Sequence, residues 1–267
     1  MDSKELAQRL RIHAIHMAHF ARESHVASAL SMADIMAVLY SGVLTVFPED
    51  PSNDNRDRFV LSKGHACSVA YAALAETGFF PVGELNTQCQ DGSRLAGHIT
   101  KNVPGVELST GSLGHGCCVA SGIALAGKVA NKKYKVYAVM GDGECNEGSV
   151  WEMALFANHV GLDNFTVVID HNKMQAMGDC ADVMDLGSLA EKWRAFGWDV
   201  LEVDGHNHEE LFNAFESPTK GKPKCVIAHT VKGKGVSFME GNLLWHYRDP
   251  QGEEYSNALS ELEGERN

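Results

Sequence analysis

Two short segments carry the residue types that hold a hard cation against an anion. Gly141-Asp142-Gly143-Glu144 and Asp170-His171-Asn172 each follow an apolar run, and Asn172 stands thirty positions after Asp142. A carboxylate oxygen and an amide oxygen brought to one place offer all-oxygen ligation, which suits Mg2+ or Ca2+. Glycines on both sides of Asp142 permit close backbone approach. A helix starting near Glu147 would aim its free N–H groups at the same spot, a setting for a diphosphate. Gly-Asp-Gly alone is commonly a turn, and Asp-His-Asn after a strand is often a helix cap. The specific signal is the pair, at the ends of two consecutive buried strands.

Histidines form the second set. His25, His65 and His98 stand in the segments Ser24-His25, Leu61-Ser62-Lys63-Gly64-His65 and Ala96-Gly97-His98. His13, His16 and His19 are three apart and so neighbours on a helix, but no carboxylate or cysteine stands nearby to complete a metal site. His159, His206, His208 and His229 read as ordinary core or surface residues.

The elements that must position these groups alternate along the chain. Leu6, Leu10, Ile12, Ile15 and Met17 give helical spacing from Glu5 to about Phe20. A second helix is expected from Ser31, as N-cap with Asp34 at N3, to Tyr40. Phe47 to Arg58 reads as a loop, Arg58 to Leu61 as a strand, and Cys67 to Thr77 as a helix. Thr87 to Thr110 is aperiodic and too long for an idle connection. An Ala/Gly/Cys-rich helix then runs to about Ala130. Lys135 to Met140 and Asn164 to Asp170 are apolar strands around a helix from Glu147 to about Val160. Helices over Leu189–Phe196 and His208–Phe215 alternate with strands over Trp198–Val203 and Pro223–His229. This order predicts an α/β fold, a doubly wound and mainly parallel sheet with helices on both faces. In such a sheet, ligands bind outside the carboxyl ends of the strands, where both cation-binding segments fall. Residues 1–240 read as one domain. Residues 241–267 are polar and acidic and read as a tail or a short docking helix.

Composition narrows the function classes. The 267 residues are 44% hydrophobic and 22% charged, ordinary for a globular chain. The net charge of −12 argues against a chain whose task is neutralising a nucleic acid. No stretch of about 20 apolar residues offers a membrane span, and the charged start Met1-Asp2-Ser3-Lys4-Glu5 is unlike a signal peptide. The seven cysteines form no Cys-x-x-Cys pair, and reduced thiols in the cytoplasm are the simplest reading.

The signature Gly141-Asp142-Gly143 followed by Asn172 resembles that of thiamine-diphosphate enzymes. The text Gly-Asp-Gly-Glu-Cys-Asn-Glu-Gly-Ser-Val-Trp-Glu from 141 to 152 resembles transketolase in particular. The three histidine segments and Ser109-Thr110-Gly111-Ser112-Leu113-Gly114-His115-Gly116 agree, in the family's order. The resemblance runs from about residue 5 to about residue 250 and corresponds to the diphosphate-binding half of a transketolase.

That resemblance implies thiamine diphosphate and Mg2+ as cofactors. Asp142, Asn172 and the backbone carbonyl of Met174 would ligate the metal, and Gly143 would contact the diphosphate. His65 would lie near the diphosphate and thiazolium, and His25 and His98 would meet substrate hydroxyls. Gly111, Leu113 and Gly114 would line the thiazolium side. His246, in Leu244-Trp245-His246, resembles a late histidine that reaches back to the site. Glu147 resembles a glutamate at the subunit interface that couples paired sites. The activity implied is transfer of a two-carbon ketol unit from a ketose to an aldehyde. The family's pyrimidine-binding domain, with the glutamate that activates the cofactor, lies beyond this half. The expected partner is therefore a second subunit carrying the pyrimidine-binding and C-terminal domains, in an α2β2 assembly, with sugar substrates and neither nucleic acid nor membrane as partners.

Departures from the family leave the substrate open. Ser24-His25-Val26-Ala27 stands where Gly-His-Pro-Gly is common, His115 where Gln is frequent, His171 where a second Asp is frequent, and Tyr247-Arg248-Asp249 follows His246. The arginines that grip sugar phosphates lie mainly beyond this half. A pentose phosphate, a sulfosugar and a branched sugar all remain open. Alternatives are a deoxyxylulose-phosphate synthase-like or 2-oxo acid decarboxylating subunit, or a nucleotide-binding module without catalysis, although no Gly-x-Gly-x-x-Gly follows the first strand.

Overall fold

The structure is a computed structural model that describes residues 1–219 and 221–264. Its helices are α1 (Ser3–Ala21), α2 (Val26–Ser31), α3 (Ala33–Val38), α4 (Cys67–Glu76), α5 (His115–Val129), α6 (Gly148–His159), α7 (Cys180–Met184), α8 (Leu189–Ala195), α9 (His208–Glu216) and α10 (Glu253–Gly264). Its strands are β1 (Arg58–Leu61), β2 (Val136–Gly141), β3 (Phe165–His171), β4 (Asp199–Asp204) and β5 (Lys224–His229). They form one sheet in the order β1-β2-β3-β5-β4, with every adjacent pair parallel.

Strand alternation feeds two cores, which makes the sheet doubly wound. Phe59, Leu61, Tyr137, Val139, Val168 and Val226 face α1 to α4 and α9. Val60, Ala138, Met140, Val167, Ile169 and Ile227 face α5, α6 and α8. The central strands are apolar on both faces because both faces are covered. Register pairs Gly141 with Asp170, so β2 and β3 end side by side and deliver Asp142 and Asn172 to one rim.

The helix expected from Ser31 to Tyr40 starts one residue later, with Met32 and not Ser31 in the N-cap position, and passes into a π-helical turn over Leu39–Val43. Val26 to Ser31 and Ala33 to Val38 are separate helices meeting at Met32 (φ −100°, ψ 9°). Ser31 caps nothing: its hydroxyl donates to Ser28 O at 3.1 Å and to Asp170 Oδ2 at 2.6 Å. Asp34 likewise leaves the backbone to bind Arg11, His206 and His208. Tertiary polar partners outcompete the local capping box.

The stretch after residue 241 packs on the domain. A 3-10 turn, Leu243–His246, buries Trp245 and His246. Helix α10 lies along α1 with Ala258 and Leu262 buried. In the histidine string of α1, His16 and His19 serve this contact and His13 meets α4. His16 Nδ1 lies 2.7 Å from the Tyr255 hydroxyl, His19 stacks on the Tyr255 ring at 3.8 Å between centroids, and His13 Nε2 lies 2.6 Å from Glu76 Oε1.

Candidate active site

A cavity of about 310 Å³ opens at the carboxyl ends of β1, β2 and β3. His25, His65, His98 and His246 line it, together with Gly111, Leu113, Asp142, Gly143, Asn172 and Met174. Ten residues singled out from sequence thus converge from seven separate segments. Gly114 and Glu147 do not line it. Gly114 sits behind the wall and donates its N–H to Glu144 Oε1 at 2.8 Å. Glu147 is exposed and is the N-cap residue of α6, outside the cavity. The N-terminus of α6 also differs from expectation. A 3-10 turn, Gly143–Asn146, intervenes after β2, and the turn's first residues, not the helix, face the cavity.

The four histidine rings cluster. Ring centroids of His25 lie 5.0 Å from His65, 4.9 Å from His246 and 6.3 Å from His98. His25 sits in a left-handed backbone conformation (φ 73°), held by its N–H donating to His246 O at 3.0 Å. Burial, reinforced by the neighbouring His98 and by Lys232 and Lys63, pushes the His25 imidazole down to about 4. Burial and Lys232 push His246 down to about 3. His65 is held well below its usual range, by burial first and Lys63 next. At neutral pH these three rings are uncharged, each offering one N–H and one acceptor nitrogen.

The oxygen set lines the same cavity. Asp142 accepts N–H groups from Gly143 at 2.7 Å and from Lys173 at 2.5 Å. Burial, with the charge of Asp170, pushes its carboxyl up to about 6. Asn172 donates Nδ2 to Asp170 Oδ2 at 3.1 Å, which turns its amide oxygen the other way, onto Met174 N at 3.1 Å. The Met174 carbonyl accepts from Lys232 Nζ at 3.3 Å. A buried carboxylate penalised by desolvation, beside a fixed amide oxygen and a carbonyl, fits a hard divalent cation. Among the described residues no three His, Cys, Asp or Glu side chains converge as a metal site, so any cation here relies on amide and carbonyl oxygens. A Cβ on Gly143 would lie 2.8 Å from Gln175 Cγ, so a larger residue there requires the Gln175 side chain to shift.

Several residues in or behind the cavity wall make contacts that escape a reading of the sequence. Lys63, inside the quoted Leu61–His65 segment, donates to Asp170 Oδ2 at 2.5 Å and is 2% exposed. Lys232, flanked by Gly233 beyond β5, contacts His246 Nδ1 at 3.0 Å and is pushed down to about 8 by burial and by Lys63. Glu144 joins three segments, accepting from Ser62 Oγ at 2.5 Å, Gly114 N at 2.8 Å and Gly141 N at 3.3 Å. Asp170 binds Lys63, Ser31, Thr230 and Asn172 at once. A lysine in a glycine-rich stretch beyond a strand is the available signal for Lys232. His171 and His229 pair at 3.2 Å at the strand ends, away from the cavity wall.

Comparison with known proteins gives one consistent answer. Residues 2–258 match the family described as transketolase, thiamine diphosphate binding domain. An apulose-4-phosphate transketolase subunit from Phocaeicola vulgatus is 41% identical over 258 residues, covering 96% of this chain and 92% of that protein. A 6-deoxy-6-sulfo-D-fructose transketolase subunit of a Clostridium species is 41% identical over 244 residues, covering 90% and 89%. The crystal structure of transketolase from Campylobacter jejuni superposes with a TM-score of 0.92 at 33% identity, over 99% of this chain and 43% of that one. The chain thus spans less than half the length of that transketolase, and nearly the whole of the relatives named as subunits.

Proposed function

Because the chain belongs to the transketolase family through its thiamine diphosphate binding domain, we propose that it is the diphosphate- and Mg2+-binding subunit of a two-subunit transketolase. The reaction is transfer of a two-carbon ketol unit from a ketose to an aldehyde acceptor. The observation that carries this reading is that one cavity is lined both by a histidine cluster and by Asp142, Asn172 and Met174. The transketolase names of the relatives favour it over a deoxyxylulose-phosphate synthase-like or 2-oxo acid decarboxylating subunit, or a nucleotide-binding module.

When bound, thiamine diphosphate supplies the nucleophilic carbon and the electron sink for cleaving a ketose carbon–carbon bond. The chain's own residues do the rest. Asp142, Asn172 and the Met174 carbonyl would hold Mg2+, with Gly143 beside the diphosphate. Lys63 and Lys232 place positive charge at the same wall. Gly111 and Leu113, which line the cavity, would meet the thiazolium side, with Gly114 behind them. His25, uncharged at neutral pH, and His98 beside it would donate to, or accept from, sugar hydroxyls, and His65 and His246 would exchange hydrogen bonds with the oxygen that gains charge at the reacting carbonyl. Glu147, exposed outside the cavity, is free to meet a partner chain.

A partner subunit with the pyrimidine-binding domain, in an α2β2 assembly, belongs to the same reading. Its supports are the relatives' subunit names and an exposed apolar face on α5 and α6, where Val119, Val129, Leu155 and Phe156 meet solvent. A one-domain reading of 1–240 with the later stretch docked on it is supported by α10 packing against α1; residues 265–267 lie outside the described residues. A cytoplasmic location is supported by free cysteines throughout, and no helix among the described residues is long and apolar enough to cross a membrane. The substrate class is a ketose bearing an anionic group, as in the names of the relatives.

The test is calorimetry of thiamine diphosphate with Mg2+ on the chain co-purified with its partner, beside an assay with apulose 4-phosphate and 6-deoxy-6-sulfo-D-fructose. Cofactor binding abolished in Asp142→Ala and ketol transfer dependent on both subunits are expected. Undiminished binding in Asp142→Ala overturns the metal assignment. Robust ketol transfer by the chain alone overturns the two-subunit reading.

A further inference from the structure

Glu23 is a half-buried acid that the mechanism above does not use. It sits in the turn between α1 and α2, with two non-glycine residues in left-handed conformation on either side, Arg22 (φ 51°) and His25 (φ 73°). Its carboxyl group points away from its own turn. Oε2 accepts from Gln88 Nε2, and Oε1 faces the Cys67 thiol at 4.0 Å. It also touches the segment Ala96-Gly97-His98, where a Cβ on Gly97 would lie 2.7 Å from Glu23 Oε1. The Cys67 thiol bonds the same segment through Ala96 O at 3.6 Å. The Glu23 carboxyl group therefore packs between the turn that carries His25 and the loop that carries His98, closely against Gly97 and linked to Ala96 through Cys67, the two rings being 6.3 Å apart.

We propose that Glu23 is a positioning residue for ketose recognition: it clasps the His25 turn to the His98 loop and so sets the gap between the two histidines. This inference rests on the reading that those histidines meet sugar hydroxyls. The clasp carries a pH dependence of its own. Burial pushes the Glu23 carboxyl up to about 8, with no cation offsetting it. The titratable groups facing it are Cys67 and Tyr71 of α4 and Cys89 after the 3-10 turn Val82–Thr87, all of which lose their protons at still higher pH or share its burial. Gln88, 2% exposed, directs its two N–H groups to Glu23 Oε2 and to Cys67 Sγ, so an extra negative charge on Glu23 finds no second donor there. At pH 7 Glu23 is a neutral acid; above about 8 it becomes a poorly solvated anion and the clasp loosens.

The experiment compares Glu23→Ala and Glu23→Gln with the parent, each co-purified with the partner subunit. In Glu23→Ala the KM for apulose 4-phosphate or 6-deoxy-6-sulfo-D-fructose should rise by about tenfold, with kcat within about threefold, because ground-state and transition-state binding fall together. Calorimetric affinity for thiamine diphosphate with Mg2+ should not change. Glu23→Gln should restore KM at pH 7 and abolish the fall in kcat/KM that the parent shows above pH 8. In nitrogen-15-labelled chain, the imidazole signals of His25 and His98 should shift in Glu23→Ala and hold in Glu23→Gln. An unchanged KM in Glu23→Ala, an equal loss of cofactor affinity, or unmoved imidazole signals would overturn the clasp. A parent complex that transfers no ketol unit strikes the functional reading, while the imidazole signals still decide the clasp.

Discussion

Asp170 and Asp34 are buried carboxylates of nearly the same construction, in different company. Each receives a basic side chain at 2.5 Å, Lys63 in one case and Arg11 in the other. Each is penalised by burial, and in each the donors override that penalty and hold the carboxyl below its usual range. The difference lies in the remaining donors. Asp34 binds His206 and His208 and so joins α1, α3 and the connection from β4 to α9, with nothing reaching the histidine cavity. Asp170 binds Asn172 and through it fixes which face of that amide the cavity meets. Strong buried electrostatics alone therefore do not mark a functional site. What marks it is a donor with a second task.

The largest effects should come from truncating the two acids. Removing one partner of a buried pair leaves an uncompensated charge and costs about 3–5 kcal/mol. Asp34→Ala and Asp170→Ala should both lose stability on that scale in urea unfolding. Calorimetry separates them. Asp170→Ala should lose thiamine diphosphate affinity with Mg2+, since Asn172 is free to turn over, whereas Asp34→Ala should retain it within about twofold, as expected of sites without shared partners. Asp170→Asn, which keeps the shape, serves if the alanine variant does not fold. Equal cofactor loss in both acids would erase the distinction.

The contrast also explains what can be read from sequence. Asp142 and Asn172 are legible because a strand's end is a place, and two consecutive apolar strands fix two such places. The α/β order is legible for the same reason: β2 and β3 are continuous apolar runs. The roles of Lys63, Lys232 and Asp170 are not, because nothing in their neighbours along the chain says that they meet across 107 positions, as Lys63 and Asp170 do. Ser31 and Asp34 mislead for a related reason. Both are good local caps, and only the folded chain reveals that Asp170 and Arg11 claim them.

A middle-sized effect is expected from pH. The folded-state values of His25 and His246 lie below the ordinary 6.5, at about 4 and about 3. A histidine with a depressed value binds its proton more readily when unfolded, so its contribution is full above about 6.5 and is lost as pH falls toward 4. Asp34 and Asp170 are depressed carboxylates, and their contribution is lost only below about 4. Urea midpoints should decline in two stages on acidification. His25→Gln and His246→Gln should flatten the first stage and leave the second, while Asp34→Asn should act on the second. A single acid transition unmoved by the histidine variants would show that the cavity does not hold its rings neutral.

The smallest effect tests how much of the Asp170 arrangement depends on any one donor. Ser31 Oγ lies 2.6 Å from Asp170 Oδ2 and accepts only a long contact, 3.5 Å, from Asn172 Nδ2. Ser31→Ala removes one buried hydrogen bond, a loss of about 1 kcal/mol. Lys63, Thr230 and Asn172 still hold the carboxylate, so the Asn172 amide should keep its orientation, and cofactor affinity should fall by less than about threefold on the same scale. Thr230→Val, which removes the bond to the other carboxylate oxygen, should behave alike. A tenfold loss of affinity in Ser31→Ala would mean that the amide is held by the network as a whole and not chiefly by Asp170, and the separation drawn between the two acids would then have to be restated as one between two networks.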